Sequence, residues 1–182
     1  RLLSRGLGDV YKRQALHLAE VAREQGYETA TSTIRCVLVA GEPGGSLKSV
    51  RQRISSAWGA DVLDHAGATE IGPWGVGWLE HSGLEVLEEW FHPEFLDIST
   101  GRPAKQGELA ELVLTTLGRH GCPVIRYRTG DVVHPVWPTE QEVAAGRSPR
   151  VWLKGGILGR TDDMLVIRLS LIHISEPTRQ KP

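Results

Sequence analysis

The stretch Ile34-Arg35-Cys36-Val37-Leu38-Val39-Ala40, closed by Gly41-Glu42-Pro43-Gly44-Gly45-Ser46, decides the fold class. A short apolar, β-rich run cut off by glycine and proline is the pattern of a buried strand. Downstream, Ser46 stands where a helix N-cap belongs, Val50, Ile54 and Trp58 recur at four-residue spacing, and Gly59 closes the segment, which predicts a helix. Asp61 to Asp64 predicts a second strand leading into the glycine-rich stretch Gly67 to Gly77. Upstream, Ala15 to Gln25 places Leu16, Leu18, Ala19, Val21 and Ala22 largely on one stripe opposite Glu20, Arg23 and Glu24, with Gly26 as the stop. That is an amphipathic helix. Helix, strand, helix, strand is an α/β rhythm.

After Trp78 the character changes. Short strand-like runs at Leu84 to Trp90, Phe95 to Ile98, Ala110 to Leu117 and Pro123 to Tyr127 are separated by turn chemistry, so the second half reads as mostly β. Ser99 to Pro103 and Thr129-Gly130-Asp131 are turn-forming clusters. Pro138 to Pro149 reads as a surface loop, and Val151 to Leu153 and Met164 to Ile167 as the last strands.

The two ends are read apart from the rest. One back-translation of Leu169 to Arg179, taken on its complementary strand, encodes Ser4 to Gln14, the pattern an inverted sequencing or transposase adapter would leave. Residues 1–14 and 169–182 are therefore expected to be non-native tails, set aside from fold reasoning. The whole chain carries a formal charge of -1; the ends carry +3 and +1, so Ala15 to Arg168 carries -5. That balance gives no basic footprint for nucleic acid or an anionic membrane. Cys36 and Cys122 lie far apart without CxxC spacing, which argues against a disulfide framework or structural zinc and for a reducing cytoplasm. No apolar run approaches the roughly 20 residues of a membrane span.

The richest chemistry lies in Asp64-His65-Ala66-Gly67-Ala68-Thr69-Glu70-Ile71-Gly72, where small residues let a ligand approach the backbone. Thr69 and Glu70 add a hydroxyl and a carboxylate, a pair that suits Mg²⁺ and phosphate. A plain glycine-rich turn with a capping Thr and a solvated Glu has the same sequence, so context must separate the two. That context is Gly41 to Ser46 upstream, Arg126-Tyr127-Arg128-Thr129-Gly130-Asp131 downstream, and then Gly159-Arg160-Thr161-Asp162-Asp163-Met164.

Four motifs in that order resemble the adenylate-forming superfamily, and the wording is most similar to phenylacetate-CoA ligases. The runs Gly107 to Leu117, Pro123 to Asp131 and Gly159 to Arg168 carry the likeness, which covers nearly all of Ala15 to Arg168. The resemblance implies an α/β fold: a fragment of the large N-terminal domain, in which the end of an α/β sheet layer is followed by a mostly antiparallel β subdomain. The expected division is 15–78 for the nucleotide-binding end, 79–158 for the β-rich part and 159–168 for the hinge to a C-terminal domain.

The resemblance also implies roles. In such enzymes ATP and a carboxylic acid give an acyl-adenylate, which CoA then converts to a thioester and AMP. Gly41, Glu42 and Pro43 match the segment that borders adenine, and Asp64, His65, Ala66, Gly67 and Ala68 match the one flanking adenine and the acyl group. Thr69 and Glu70 match the catalytic pair, with Glu70 as the Mg²⁺ ligand. Asp131 matches the carboxylate that accepts the ribose hydroxyls, Arg160 a nucleotide-facing arginine, and Asp162 the hinge. From the residues alone, Gly41 to Ser46 could equally be a strand-to-helix turn, Asp131 an Asx turn and Gly159 to Asp163 an ordinary charged turn. Trp74 or Trp78 could wall an aryl pocket or belong to the core, and the scattered histidines show no metal-ligand spacing.

Relatives also have an upstream phosphate loop and a downstream lysine that this sequence lacks, so the expected reading is a fragment of a cytoplasmic, ATP- and Mg-dependent ligase for an aryl or arylacetic acid, inactive alone. Two alternatives stand beside it: an adenylating ligase with a non-CoA acceptor, and a non-catalytic nucleotide-binding protein of the same fold. The partners implied are the carboxylic acid, ATP and CoA, with no nucleic acid or membrane; oligomeric state is not implied.

Overall fold

The computed structural model describes residues 3–40, 48–79, 81–167 and 170–173. Its framework is one eight-stranded sheet fed by two helices. The first helix, α1 (Leu3–Glu24), begins upstream of the expected Ala15. It ends where Gly26 takes a φ of +80° and the Tyr27 amide donates back to the Ala22 carbonyl at 2.8 Å, a left-handed stop that glycine permits. Ala15, Leu16 and Ala19 turn inward, whereas Leu18, expected on the same stripe, is exposed.

β1 (Cys36–Ala40) runs parallel to β2 (Asp61–Ala68), and α2 (Lys48–Trp58) connects them as a parallel crossover requires. Ile54 is fully buried with Val39 and Val62, and Val50, Trp58 and Leu16 pack around them. The Trp58 indole N–H donates to the Ala15 carbonyl at 2.9 Å, which ties α2 to α1. The expectation of a buried strand is corrected here. β1 is the sheet's edge, and only one of its faces is covered, so Val39 is buried while Leu38 is exposed. An apolar run cannot reveal whether its second face has a cover.

The remaining strands are antiparallel. They are β3 (Gly72–Val76), β4 (Gly83–Val86), β5 (Phe91–Asp97), β6 (Ala110–Thr116), β7 (Tyr127–Val136) and β8 (Trp152–Arg160), and the sheet order is β1-β2-β3-β4-β8-β7-β6-β5. The sheet therefore continues across residue 78, since β3 and β4 are neighbours. A second, two-stranded sheet pairs β9 (Met164–Ile167) with β10 (Ser170–His173), the latter in the stretch set aside as a tail.

Three local expectations change. The run expected at Pro123 to Tyr127 is not a strand: Pro123 lacks an N–H, Arg126 adopts a φ of +52°, and pairing begins only at Tyr127. Thr129-Gly130-Asp131 is not a turn between strands but lies inside β7. Val113 pairs with Arg128 and Glu111 with Val132, so those three residues stand opposite Leu112 alone. The same turn-forming chemistry makes a bulge, with Gly130 at φ +73°. The expected loop Pro138 to Pro149 contains α3 (Glu140–Ala144), started by a capping box in which Thr139 and Glu142 satisfy each other's amides.

One apolar cluster unites the sheet. Ala66, Ile71 and Trp74, from β2, β3 and their turn, are buried together with Phe91 and Phe95 of β5 and Ala110, Leu112 and Leu114 of β6. Strands at opposite ends of the order thus share one interior, which requires the sheet to curl. Truncating Ile54, the fully buried residue of the helix-covered cluster, to Ala is expected to cost about 2–4 kcal/mol of unfolding free energy; urea denaturation followed by circular dichroism measures it.

Candidate functional site

Parallel strands leave a crevice beyond their carboxyl ends where chain and ligand meet. Ala40, the last residue of β1, pairs with His65, and β2 runs on to Ala68 before the turn carrying Thr69 and Glu70. Gly41, Glu42 and Pro43, which follow Ala40 directly, lie outside the described residues, as does Ser46.

Within β2 the expected residues separate by burial. Asp64 is buried; its carbonyl accepts the Gly77 amide at 2.7 Å and its carboxylate accepts the His65 amide at 3.0 Å. The Nδ1 of His65 is buried and meets no hydrogen-bond partner among the described residues, a cost that a bound polar group would remove. Ala66 belongs to the core. Gly67 is needed for the close approach of β3, because a Cβ there would stand 3.1 Å from the Pro73 Cα. Thr69 and Glu70 are exposed in the turn, and Arg119 donates Nη1 to the Glu70 carbonyl at 2.6 Å.

The bulge in β7 supplies the second group. Buried Glu111 receives both a Nε bond, at 3.0 Å, and a Nη2 bond from Arg128, a bidentate pair at the bulge's flank. Inside it, the Thr129 hydroxyl donates to the Leu112 carbonyl at 2.9 Å and accepts the Asp131 amide at 3.0 Å. Asp131 faces Arg160 of β8 in register, and Arg160 Nη1 reaches both the Asp131 carboxylate and the Thr129 carbonyl at 3.3 Å. Arg160 also donates Nε to Asp162 at 3.1 Å. The guanidinium crosses Gly130 so closely that a Cβ there would sit 2.7 Å from Nη2.

Tyr127 joins the two groups. Its phenol lies within the influence of the charges of Glu70, Asp131 and Arg160. Burial, followed by the charge of Glu70, raises its phenol above the ordinary value of 10.0. Asp131 is pushed up from 3.8 to about 6, mainly by burial; Arg160 and Thr129 oppose that rise and Asp162 adds to it.

No family model matches the chain. The phenylacetate-coenzyme A ligase of Thermus thermophilus is 35% identical over 155 residues, which cover 83% of this chain and 33% of that protein. The enzyme of the same name from Pseudomonas putida is 33% identical over 156 residues, covering 84% and 33%. An open conformation of 2-hydroxyisobutyryl-CoA ligase, in complex with 2-HIB-AMP and CoA, superposes with a TM-score of 0.76 at 31% identity over 93% of this chain and 41% of that one. Over the stretch it matches, the chain is similar to phenylacetate-CoA ligases. It spans about a third of the length of the curated relatives it matches.

In the stretch that matches these ligases, the charges of Glu70, Asp131 and Arg160 all act on Tyr127, and Asp162 bonds Arg160 and acts on Asp131 through its charge. Trp74 is core rather than pocket wall, and Trp78 is exposed. The sequence reading missed Tyr127 and Arg119. Tyr127 stands inside a quoted motif, but its partner Glu70 is distant in the chain, and only the curl of the sheet reveals the pair.

The raised Asp131 carboxyl makes the folded chain bind a proton more readily than the unfolded chain between pH 3.8 and about 6. Its contribution is full below that window and is lost as pH rises through it, leaving a cost on the order of 3 kcal/mol at neutral pH. Asp131→Asn should therefore gain about 2–3 kcal/mol relative to the unsubstituted chain between pH 4 and pH 7.5, read from denaturation midpoints across that range.

Proposed function

We propose that the protein carrying this segment activates a carboxylic acid with ATP as an acyl-adenylate and passes the acyl group to CoA. The observation that carries the reading is the grouping of Glu70, Asp131 and Arg160 around Tyr127, beside the carboxyl ends of the parallel strands. An aryl or arylacetic acid is the substrate class that the phenylacetate-CoA ligases support. Neighbours that hold an acyl-AMP and CoA support the two-step order.

Adenylation brings two anions together. A carboxylate oxygen attacks the α-phosphorus of ATP, the bond to pyrophosphate breaks, and negative charge gathers on the phosphate oxygens. Thr69 would donate its hydroxyl there. The Thr69 hydroxyl and Glu70 carboxylate, exposed side by side in one turn, are hard oxygen donors of the kind Mg²⁺ takes, and Glu70 would hold it. Bound Mg²⁺ would neutralise phosphate charge. Asp131, an ionised fork held by Arg160, would accept the two ribose hydroxyls, and those donors would offset the burial that raises its carboxyl. Gly41, Glu42 and Pro43 would border adenine, while Asp64 to Ala68 would flank adenine and the acyl group, with His65 Nδ1 open to a partner. In the second step the CoA thiolate attacks the acyl carbon and AMP leaves.

Asp162, itself exposed, lies in the 3-10 turn Thr161–Asp163 and would serve as the hinge between steps. The division at residues 78 and 158 belongs to the same proposal, with 159–168 as the hinge segment. No helix among the described residues is long and apolar enough to cross a membrane, and a cytoplasmic site is part of this reading.

In a complete ligase carrying this segment, Glu70→Gln is expected to lower carboxylate-dependent exchange between ATP and pyrophosphate by about 10²–10³-fold. Unchanged exchange would favour a non-catalytic nucleotide-binding role. Replacing CoA with amine or hydroxyl acceptors in the second half-reaction identifies the acceptor.

A further inference from the structure

The arginines between the end of β6 and the end of β8 are not alike. Arg126, Arg128, Arg147, Arg150 and Arg160 each form an ion pair with a carboxylate, whereas Arg119, in the loop after β6, forms none among the described residues. Its contact is a backbone group: Nη1 donates to the Glu70 carbonyl at 2.6 Å. Glu70 offers a carboxylate on the same residue, and pairing with it would have cancelled both charges. The guanidinium instead keeps its charge beside the Thr69–Glu70 turn. Both sides of the contact are braced. The turn is closed by the Ile71 amide on the Ala68 carbonyl at 3.2 Å, with Ile71 buried behind it. The loop is pinched at its base, where the Thr116 amide donates to the Val124 carbonyl at 2.9 Å and the Val124 amide to the Thr116 hydroxyl at 3.0 Å. The Leu117 amide adds a bond to the Trp90 carbonyl at 2.8 Å. One bond from a planar fork to a fixed acceptor orients the whole guanidinium and leaves its other N–H groups to a ligand.

We propose that Arg119 is a phosphate-binding residue: its guanidinium, tethered to the Glu70 carbonyl, contacts phosphate oxygens of the nucleotide held at the Thr69–Glu70 turn. The inference rests on the reading given above, in which this turn meets the phosphate end of ATP. A planar fork matches two phosphate oxygens, and bonds of this kind strengthen as negative charge gathers on them. Glu70 and Arg119 then divide the work. The carboxylate takes the cation, the guanidinium takes the anion, and the carbonyl bond holds the two at a set spacing. A plain cap on the turn carbonyl would need no charge, and it would serve a nucleoside as well as a nucleotide.

That difference is the test. A complete ligase carrying the segment is titrated by calorimetry with Mg-ATP and, separately, with adenosine. Arg119→Met keeps most of the side chain's length and removes its charge at an exposed position, where a substitution spares the core. Affinity for Mg-ATP should fall about ten- to a hundred-fold while affinity for adenosine stays the same. Arg119→Lys, which keeps the charge without the fork, should fall between the parent and Arg119→Met. Equal Mg-ATP affinity in the parent and Arg119→Met overturns the proposal. So does a parallel loss of Mg-ATP and adenosine, since Arg119 would then only hold the turn. The adenylation reading fails separately: a parent without carboxylate-dependent exchange between ATP and pyrophosphate sinks that reading, while a selective loss of Mg-ATP affinity in Arg119→Met still upholds the phosphate contact.

Discussion

The shared apolar interior of Ile71 and Trp74 with Phe91, Phe95 and Leu112 is the constraint on which the rest depends. Each of these side chains belongs to a strand or turn that could exist in a flat sheet. Burying them together forces the sheet to curl until its β5–β6 end closes over the β2–β3 turn. Only then do Arg119 and Tyr127 meet Glu70. The polar group is thus a consequence of hydrophobic closure, and its geometry is as firm as the packing beneath it.

Electrostatics then shape what closure has gathered. Asp131 is nearly buried, so its ionised form is costly, and Arg160 offsets that cost only in part. A carboxylate in this condition favours any ligand that presents two hydroxyl donors. Glu111 resolves the same problem differently, with both oxygens taken by one guanidinium. The first arrangement suits a site that must receive something; the second suits a strut.

How much of this was legible in the sequence depended on range. The four-residue spacing of Val50, Ile54 and Trp58 is a local signal and marked α2 and its buried face. The Thr69–Glu70 pair and Asp131 stood out through the order of four motifs, since each alone reads equally as an ordinary turn. Thr129-Gly130-Asp131 was legible as a backbone irregularity but not as a bulge, since turns and bulges draw on the same residues. The capping box Thr139 to Glu142 was written in the sequence and overlooked within a polar stretch. The exposed face of β1 and the approach of Arg119 to the Glu70 carbonyl were not legible, because both depend on which distant segments cover or approach a strand.

The strand order carries a cost of a different kind. β5, β6, β7 and β8 form a meander in which each strand pairs with the next, so their loops close over short distances. β4 has no such neighbour on its outer side: Gly83 pairs with Lys154, and the Val151 amide is capped by Glu88, both across the whole meander. Long closures are entropically expensive and slow. During synthesis from the N-terminus, β4 leaves the ribosome with one edge unmatched and stays so until β8 follows, which leaves that edge open to trespass by another chain in the meantime.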